Sequence, residues 1–215
     1  MNDVPVDKPG ARVRPEERVR VRGEERRFVS RGGEKLAGAL GDLGLDPAGR
    51  VCLDVGASTG GFTDCLLQAG ARSVVAVDVG YGQLHEQLRR DERVIVLERT
   101  NARTLSADLL PEAPDLVTAD VSFISLRLLL PRLAEVAPGA DLLVLVKPQF
   151  EVEKGQVGKG GVVRDDGLRA AAVARVRACA EALGYVAAGQ ADSRLPGPKG
   201  NREVFLWLRP GVAGS

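Results

Sequence analysis

The sequence predicts an α/β fold built on a doubly wound, mostly parallel sheet, and three observations carry that expectation. Short apolar runs at 51–55, 73–77, 94–97, 115–119 and 141–146 are separated by amphipathic or glycine-rich stretches, the rhythm of successive βαβ units. The first run leads into Gly56-Ala57-Ser58-Thr59-Gly60-Gly61, where glycines permit a sharp bend and the close approach of a ligand. Three runs are followed by Asp78, Asp120 and Lys147, polar residues that a parallel sheet gathers at its carboxyl edge.

Taken in order, residues 1–27 form a basic N-terminal arm. Prolines at 5, 9 and 15 and arginines at 12, 14, 18, 20 and 22 are broken up by acids, with too little apolar area for an independent fold. The arm reads either as a solvated segment or as the end of a small basic module. A helix follows, with Ser30 as its cap, Leu36, Leu40 and Leu43 on one face and Gly44 at its end. Lys35 falls in its first turn, where the helix dipole disfavours a cation, so a role other than helix stability stands beside that of a solvated lysine.

After the glycine turn, Thr63 and Asp64 are expected to open a helix whose buried face is Phe62, Cys65, Leu66 and Ala69, closed by Gly70. Further helices are expected at 82–90, 125–137 and 166–183. Residues 149–164 form a glycine-rich loop with Lys154, Lys159 and Arg164, read as a cover over the site, a phosphate contact or a plain linker. Two strands close the chain at 185–190 and 203–208; if the second returns antiparallel beside 141–146, Glu203 begins at the same edge as Lys147. The connector 193–202 is too long for a two-residue hairpin turn and carries Arg194, Lys199 and Arg202.

Composition narrows the class. At 215 residues and 44% apolar content the chain suits one soluble domain with a continuous core, and with only 4% aromatics that core rests on Val, Leu and Ala. A net charge of +1 neither requires nor excludes nucleic acid, because a basic stripe can hide in a neutral total. Cys52, Cys65 and Cys179 are odd in number and lack C-x-x-C spacing, which argues for reduced thiols in the cytoplasm and against a disulfide scaffold or zinc site. No metal-ligand cluster is present, and the single histidine, His85, is expected on a surface helix. No apolar run is long enough to span a bilayer.

The glycine turn discriminates between cofactors. A dinucleotide fingerprint requires G-x-G-x-x-G, whereas this chain has G-x-x-x-G-G with Ser58 at the middle position. Asp78, about twenty residues on, can take both hydroxyls of a ribose. A ribose hook without a pyrophosphate turn fits S-adenosylmethionine better than NAD; the alternative is an ordinary turn whose glycines serve packing. Lys35, Asp120, Lys147 and Glu203 would meet at one edge as a nearly neutral set. In such a cluster burial and the second cation favour the neutral amine while the acids hold it charged, so a lysine there can take a proton from a weak acid. A buried ion-pair network without catalysis is the competing reading.

The blocks Phe28–Leu36 (FVSRGGEKL), Asp54–Thr63 (DVGASTGGFT), Asp120–Leu126 (DVSFISL), Val146–Glu151 (VKPQFE), Gly158–Arg164 (GKGGVVR) and Gly197–Glu203 (GPKGNRE) resemble, in order, the TlyA family of FtsJ-like ribosomal RNA 2′-O-methyltransferases, historically also labelled hemolysin A. The resemblance spans 28–215 and implies a methyltransferase domain there, with a class I (Rossmann-like) sheet. It implies a catalytic tetrad of Lys35, Asp120, Lys147 and Glu203, and S-adenosylmethionine contacts at Gly56, Ser58, Gly60, Phe62, Asp78 and Asn101. Phe62 and Asn101 depart from the related heat-shock methyltransferase, which has Trp and an acid there. Ribosomal RNA or ribosomal subunits are the implied partner, with a cytidine ribose as target, no metal and no membrane. Lys154, Lys159, Arg194, Lys199 and Arg202 are expected to touch RNA phosphates. Family members begin with a complete S4 RNA-binding domain, and here Val4–Arg27 resembles only its last portion. The rival readings are a cofactor-binding RNA-associated protein with lost catalysis, a lytic protein and an NAD-dependent oxidoreductase.

Overall fold

A computed structural model describes residues 27–211; the expected basic arm lies, but for Arg27, outside the described residues. The elements run α1 (Arg31–Leu43), β1 (Val51–Val55), α2 (Gly61–Gln68), β2 (Ser73–Val77), α3 (Glu86–Arg89), β3 (Val94–Leu97), β4 (Leu116–Ala119), α4 (Leu126–Val136), β5 (Asp141–Val146), α5 (Pro148–Glu151), α6 (Asp166–Ala182), β6 (Tyr185–Asp192) and β7 (Val204–Pro210). The seven strands lie in the order β3-β2-β1-β4-β5-β7-β6. β1 to β5 are parallel, and β7 inserts antiparallel between β5 and β6 with Val146 opposite Val204. This is the doubly wound sheet with a terminal antiparallel strand that the alternation predicts.

The central strands β1, β2, β4 and β5 are buried along nearly their whole length because helices cover both faces, while the edge strand β6 alternates with exposed residues. One layer packs α4 and α6 residues such as Leu129, Leu133 and Val176 on Leu53, Val117 and Val144. The other sets α1 and α2, through Leu36, Leu40, Phe62 and Leu66, on Cys52, Val74 and Leu143. Cys52 and Cys65 are buried thiols in that second layer, pushed by desolvation up to about 12.

Three expectations are corrected locally. α2 begins at Gly61, two residues before Thr63, and has no side-chain cap because the cap residue is Gly60; Thr63 in its first turn donates inward to Asp54, and Asp64 accepts from the Val29 amide at 2.8 Å. The helix expected at 82–90 shrinks to Glu86–Arg89: the chain before it turns at Gly82, with φ 69°, and packs Leu84 inward, and His85 becomes the cap, its Nδ1 accepting from the Gln87 amide. Residues 149–164 are not one loop. α5 occupies its start, and Glu151, 4% exposed, accepts from Ser125 Oγ at 2.6 Å and the Leu126 amide at 2.7 Å.

Asp54, at the end of β1, is wholly buried, and it holds three elements together. Thr63 of α2 and Thr118 of β4 donate their hydroxyls to its two oxygens at 2.7 and 3.1 Å. Desolvation, only partly offset by these bonds and reinforced by Asp120, raises its carboxyl to about 6. The fold therefore binds the proton more tightly than the unfolded chain does. This group's contribution to stability is complete below the usual 3.8 and is lost as pH rises toward 6. Ionised Asp54 costs about 3 kcal/mol at neutral pH by this reckoning. Urea denaturation of Asp54→Asn should lack the decline between about pH 4 and 6 that Asp54 gives the wild type. Parallel pH profiles for the two proteins would show that its ionisation is not resisted by the fold.

Candidate active site

The strand-to-helix turn after β1 is shaped by what cannot fit there. Gly56 has φ 85°, and a Cβ on it would lie 2.6 Å from the Asp120 carbonyl oxygen. Gly60 has φ 95° and a Cβ there would strike Leu88. On Gly61 it would strike Ser30 Oγ and lie 2.8 Å from the Gly33 nitrogen. The last pair shows that the N-terminus of α1 is set directly against the N-terminus of α2. Ser30 caps α1 as expected, its Oγ accepting from the Gly32 amide at 3.3 Å.

A cavity of about 190 Å³ opens between these parts. Ser30, Arg31, Gly32 and Lys35 of the α1 end form one wall, and the glycine turn with Phe62 forms another. Asp120 and the connector residues Pro196 and Pro198 complete it. Arg31 donates to the Pro196 carbonyl at 3.1 Å and so ties the connector to α1.

Lys35, Asp120, Lys147 and Glu203 form two ion pairs at this edge. Lys35 Nζ is 2.6 Å from Glu203 Oε2, with side chains 9% and 1% exposed. Lys147 Nζ is 2.6 Å from Asp120 Oδ1, with side chains 12% and 24% exposed, and donates to Ser122 Oγ at 2.9 Å. The other Glu203 oxygen, Oε1, is buried without a hydrogen-bond partner among the described residues and presses on Gly197, where a Cβ would strike it. Glu203 directly precedes β7 rather than opening it, its carbonyl accepting from Ser193 at 2.9 Å.

The residues expected at the cofactor divide. Asp78, just past β2, accepts from the Ser58 amide at 2.8 Å through Oδ2 and from the Gly80 amide at 2.7 Å through Oδ1. Each oxygen keeps a lone pair for another donor. Ser58 itself has φ 49°, held by this bond and by the bend at Gly56. Phe62 lines the cavity but is 3% exposed, its ring 5.9 Å from that of Phe205. Asn101 lies outside the cavity lining, exposed, capping a short 3₁₀ turn through the Arg103 amide at 3.0 Å. Its neighbour Thr100 donates to the Asp78 carbonyl at 3.0 Å, which keeps Asn101 on the Asp78 side of the site.

The cations expected at RNA also divide. Lys159 and Lys199 are exposed, while the side chain of Lys154 lies outside the described set. Arg194 lies across Gly38 and pairs with Asp42 of α1 at 2.6 Å, so its charge is already matched. Arg202 pairs with Asp166 at 3.2 Å and Asp192 at 3.7 Å.

Several residues at this edge are not singled out by sequence patterns. Asn201, 2% exposed, accepts from the Val163 amide at 2.9 Å and donates to the Gly161 carbonyl at 2.8 Å, binding the 158–164 turn to the connector. Phe123 has φ 67°, is 91% exposed and sits 5.3 Å from the Phe150 ring. A bulky residue in that backbone region is a genuine outlier. The presence of Asn and Phe inside otherwise glycine-rich or polar blocks was the available signal. Among the described residues no group of three or more His, Cys, Asp or Glu is placed to hold a metal, and no helix is long and apolar enough to cross a membrane.

Comparison with known proteins identifies the family. The FtsJ-like methyltransferase family matches residues 28–210. The chain is 58% identical over 190 residues to the 16S/23S rRNA (cytidine-2′-O)-methyltransferase TlyA of Mycobacterium tuberculosis, covering 88% of this chain and 71% of that one. It is 39% identical over 211 residues to hemolysin A of Brachyspira hyodysenteriae, covering 95% and 86% of the two chains. A solved structure from Streptococcus thermophilus that carries a hemolysin label superposes with a TM-score of 0.84 at 42% identity, covering 88% of this chain and 70% of that one. With the fold, the glycine turn and the paired lysines and acids in one place, the chain belongs to the TlyA family of FtsJ-like methyltransferases.

Proposed function

We propose that this protein methylates a ribose 2′-hydroxyl of ribosomal RNA, at a cytidine, with residues 28–215 as the methyltransferase unit. The observation that supports it most is the Lys147–Asp120 pair at the mouth of the glycine-turn cavity, backed by the Lys35–Glu203 pair. The residues present fit S-adenosylmethionine: the turn from Gly56 to Gly61 and Phe62 line the cavity, and Asp78, which holds the Ser58 amide of that turn, keeps lone pairs free for a diol. When bound, that cofactor supplies a methyl group on a positively charged sulfur. Asp78 would hold its ribose diol, Gly56, Ser58 and Gly60 its backbone contacts, and Phe62 the inner wall, with Asn101 at the adenine end.

The chain's own part is positioning and proton transfer. The acceptor ribose enters beside Asp120, where the amine of Lys147, once it has released its own proton to solvent, takes the 2′-hydroxyl proton. Asp120 and Ser122 orient that amine, and Glu203 holds Lys35 so that the second lysine tunes the field at the first. Holding hydroxyl and methyl in line contributes much of the rate. Phe123, presented outward next to Asp120 and supported by Phe150, offers a face on which an unstacked RNA base can rest. The ribosomal subunit is the assembled form in which that RNA is met.

Three measurements test these roles. Asp78→Ala should weaken S-adenosylmethionine binding by about 1.5–3 kcal/mol in calorimetry, the range of hydrogen bonds to a charged group; unchanged affinity removes Asp78 from the cofactor site. Lys147→Ala and Lys147→Arg should bind the cofactor nearly normally yet lose about 10²–10⁴-fold in single-turnover methyl transfer to ribosomal subunits, with nuclease mapping of the product as 2′-O-methyl. Full activity in Lys147→Arg, whose guanidinium stays protonated, means that Lys147 is not the base. Wild type that binds the cofactor and methylates no subunit is instead a binder without catalysis. Phe123→Ala should lower transfer by about 1–3 kcal/mol while fold and cofactor affinity hold, whereas equal rates show that no base rests there.

A further inference from the structure

A second depression, about 330 Å³, lies beside the active-site edge and is formed by the turn at 162–164, the start of α6 and the connector at 199–202. Arg164, Arg169, Lys199 and Arg202 line it, with Asp166 the acid among the lining residues and Asp192 close enough to pair with two of the cations. Two of those cations are matched: Arg169 reaches Asp192 at 3.1 Å and Asp166 at 3.4 Å, and Arg202 shares the same two acids. Arg164 and Lys199 are exposed and have no ion pair among the described residues. The depression thus carries excess positive charge with donors directed from three chain segments.

Its position gives that charge a use. The connector passes through the depression at Lys199–Arg202 and reaches Glu203 at the next residue. Asn201 is buried between the two, and its bonds to Val163 and Gly161 lock the near wall to the far one. Lys199 extends over Gly161, where a Cβ would meet its Nζ at 3.5 Å. A ligand held here therefore sits on a braced wall adjoining the Lys35–Glu203 pair.

We infer that this depression binds a backbone phosphodiester of the RNA acceptor, with Arg164 and Lys199 as the primary contacts and Arg169 and Arg202 as cations exchangeable from Asp166 and Asp192. The inference rests on the RNA methyltransferase reading. It deepens that reading by placing a backbone contact away from the target ribose. Arginine's planar fork matches a phosphate's paired oxygens, and such contacts fix register without reading sequence. The site would therefore serve any acceptor strand threading past Glu203.

The test is fluorescence anisotropy of the full chain with a labelled single-stranded oligoribonucleotide across a salt series, beside methyl transfer to ribosomal subunits. Arg164→Gln with Lys199→Gln should weaken binding about tenfold or more at low salt and lower the salt slope by about 0.7 for each phosphate no longer neutralised. In the transfer assay KM should rise while kcat and cofactor affinity stay unchanged. Asp192→Asn, which removes one of the two acids that Arg169 and Arg202 share, should tighten oligoribonucleotide binding severalfold. Unchanged affinity and slope in the double variant, or a fall in kcat with KM constant, overturns the inference. An active wild type with an indifferent double variant refutes this site alone. An inactive wild type refutes the methyltransferase reading, while the anisotropy still decides whether the depression binds RNA.

Discussion

The Lys35–Glu203 ion pair is the constraint on which the rest of the site depends. It joins residues 168 apart in sequence, the second turn of α1 and the entry to β7, at a point where both side chains are almost wholly buried. Two charges withdrawn from water in this way add little net stability, but removing one leaves the other uncompensated at about 3–5 kcal/mol. The pair therefore specifies an arrangement. With α1 fixed against the sheet edge, Ser30 and Gly33 meet the glycine turn, and with the β7 entry fixed, Gly197 and the connector close the cavity from the opposite side.

The same edge collects the unusual backbone of the protein. Ser58, Arg99 and Phe123 are the non-glycine residues with positive φ among those described, and all three follow the carboxyl ends of strands or the turn built on them. Each is stabilised by a neighbour that the strand ends supply: Asp78 holds the Ser58 amide, Gly80 accepts from Arg99, whose guanidinium lies 4.2 Å from the Tyr81 ring centroid, and Phe150 supports Phe123. Strain concentrated where helices and strands over-determine the loops is the usual arrangement of a binding edge. A rigid sheet beneath, apolar on both faces, makes it tolerable.

Charge is distributed along this edge by the same logic. Asp54 and Glu151 are buried acids whose carboxyls burial raises, and both spend their oxygens on hydroxyl and amide donors that fix turns. The acids of the tetrad face cations instead. Farther along the connector the balance tips to arginine and lysine, with Arg194 neutralised by Asp42 and with Arg164 and Lys199 unmatched among the described residues. A chain of net charge +1 thus presents a locally positive rim beside the nearly neutral cluster of Lys35, Asp120, Lys147 and Glu203.

Sequence alone determined the alternation of strands and helices, the glycine turn, and the convergence of Asp78, Asp120 and Lys147, because apolar period and glycine placement are local and a parallel sheet has one carboxyl edge. Glu203's place there followed only if its strand returned antiparallel beside β5, a pairing that the tertiary structure supplies. Only the tertiary structure decided the pairings: Lys35 with Glu203, Lys147 with Asp120, Arg194 with Asp42, and Asn201 bridging the 158–164 turn. Those choices depend on which side chains share a buried volume once the layers pack, and no periodicity encodes that. Thr63 illustrates the difference. By local chemistry it belongs at a helix start exposed to water, yet in the first turn of α2 it is wholly buried and gives its hydroxyl to the buried carboxyl of Asp54.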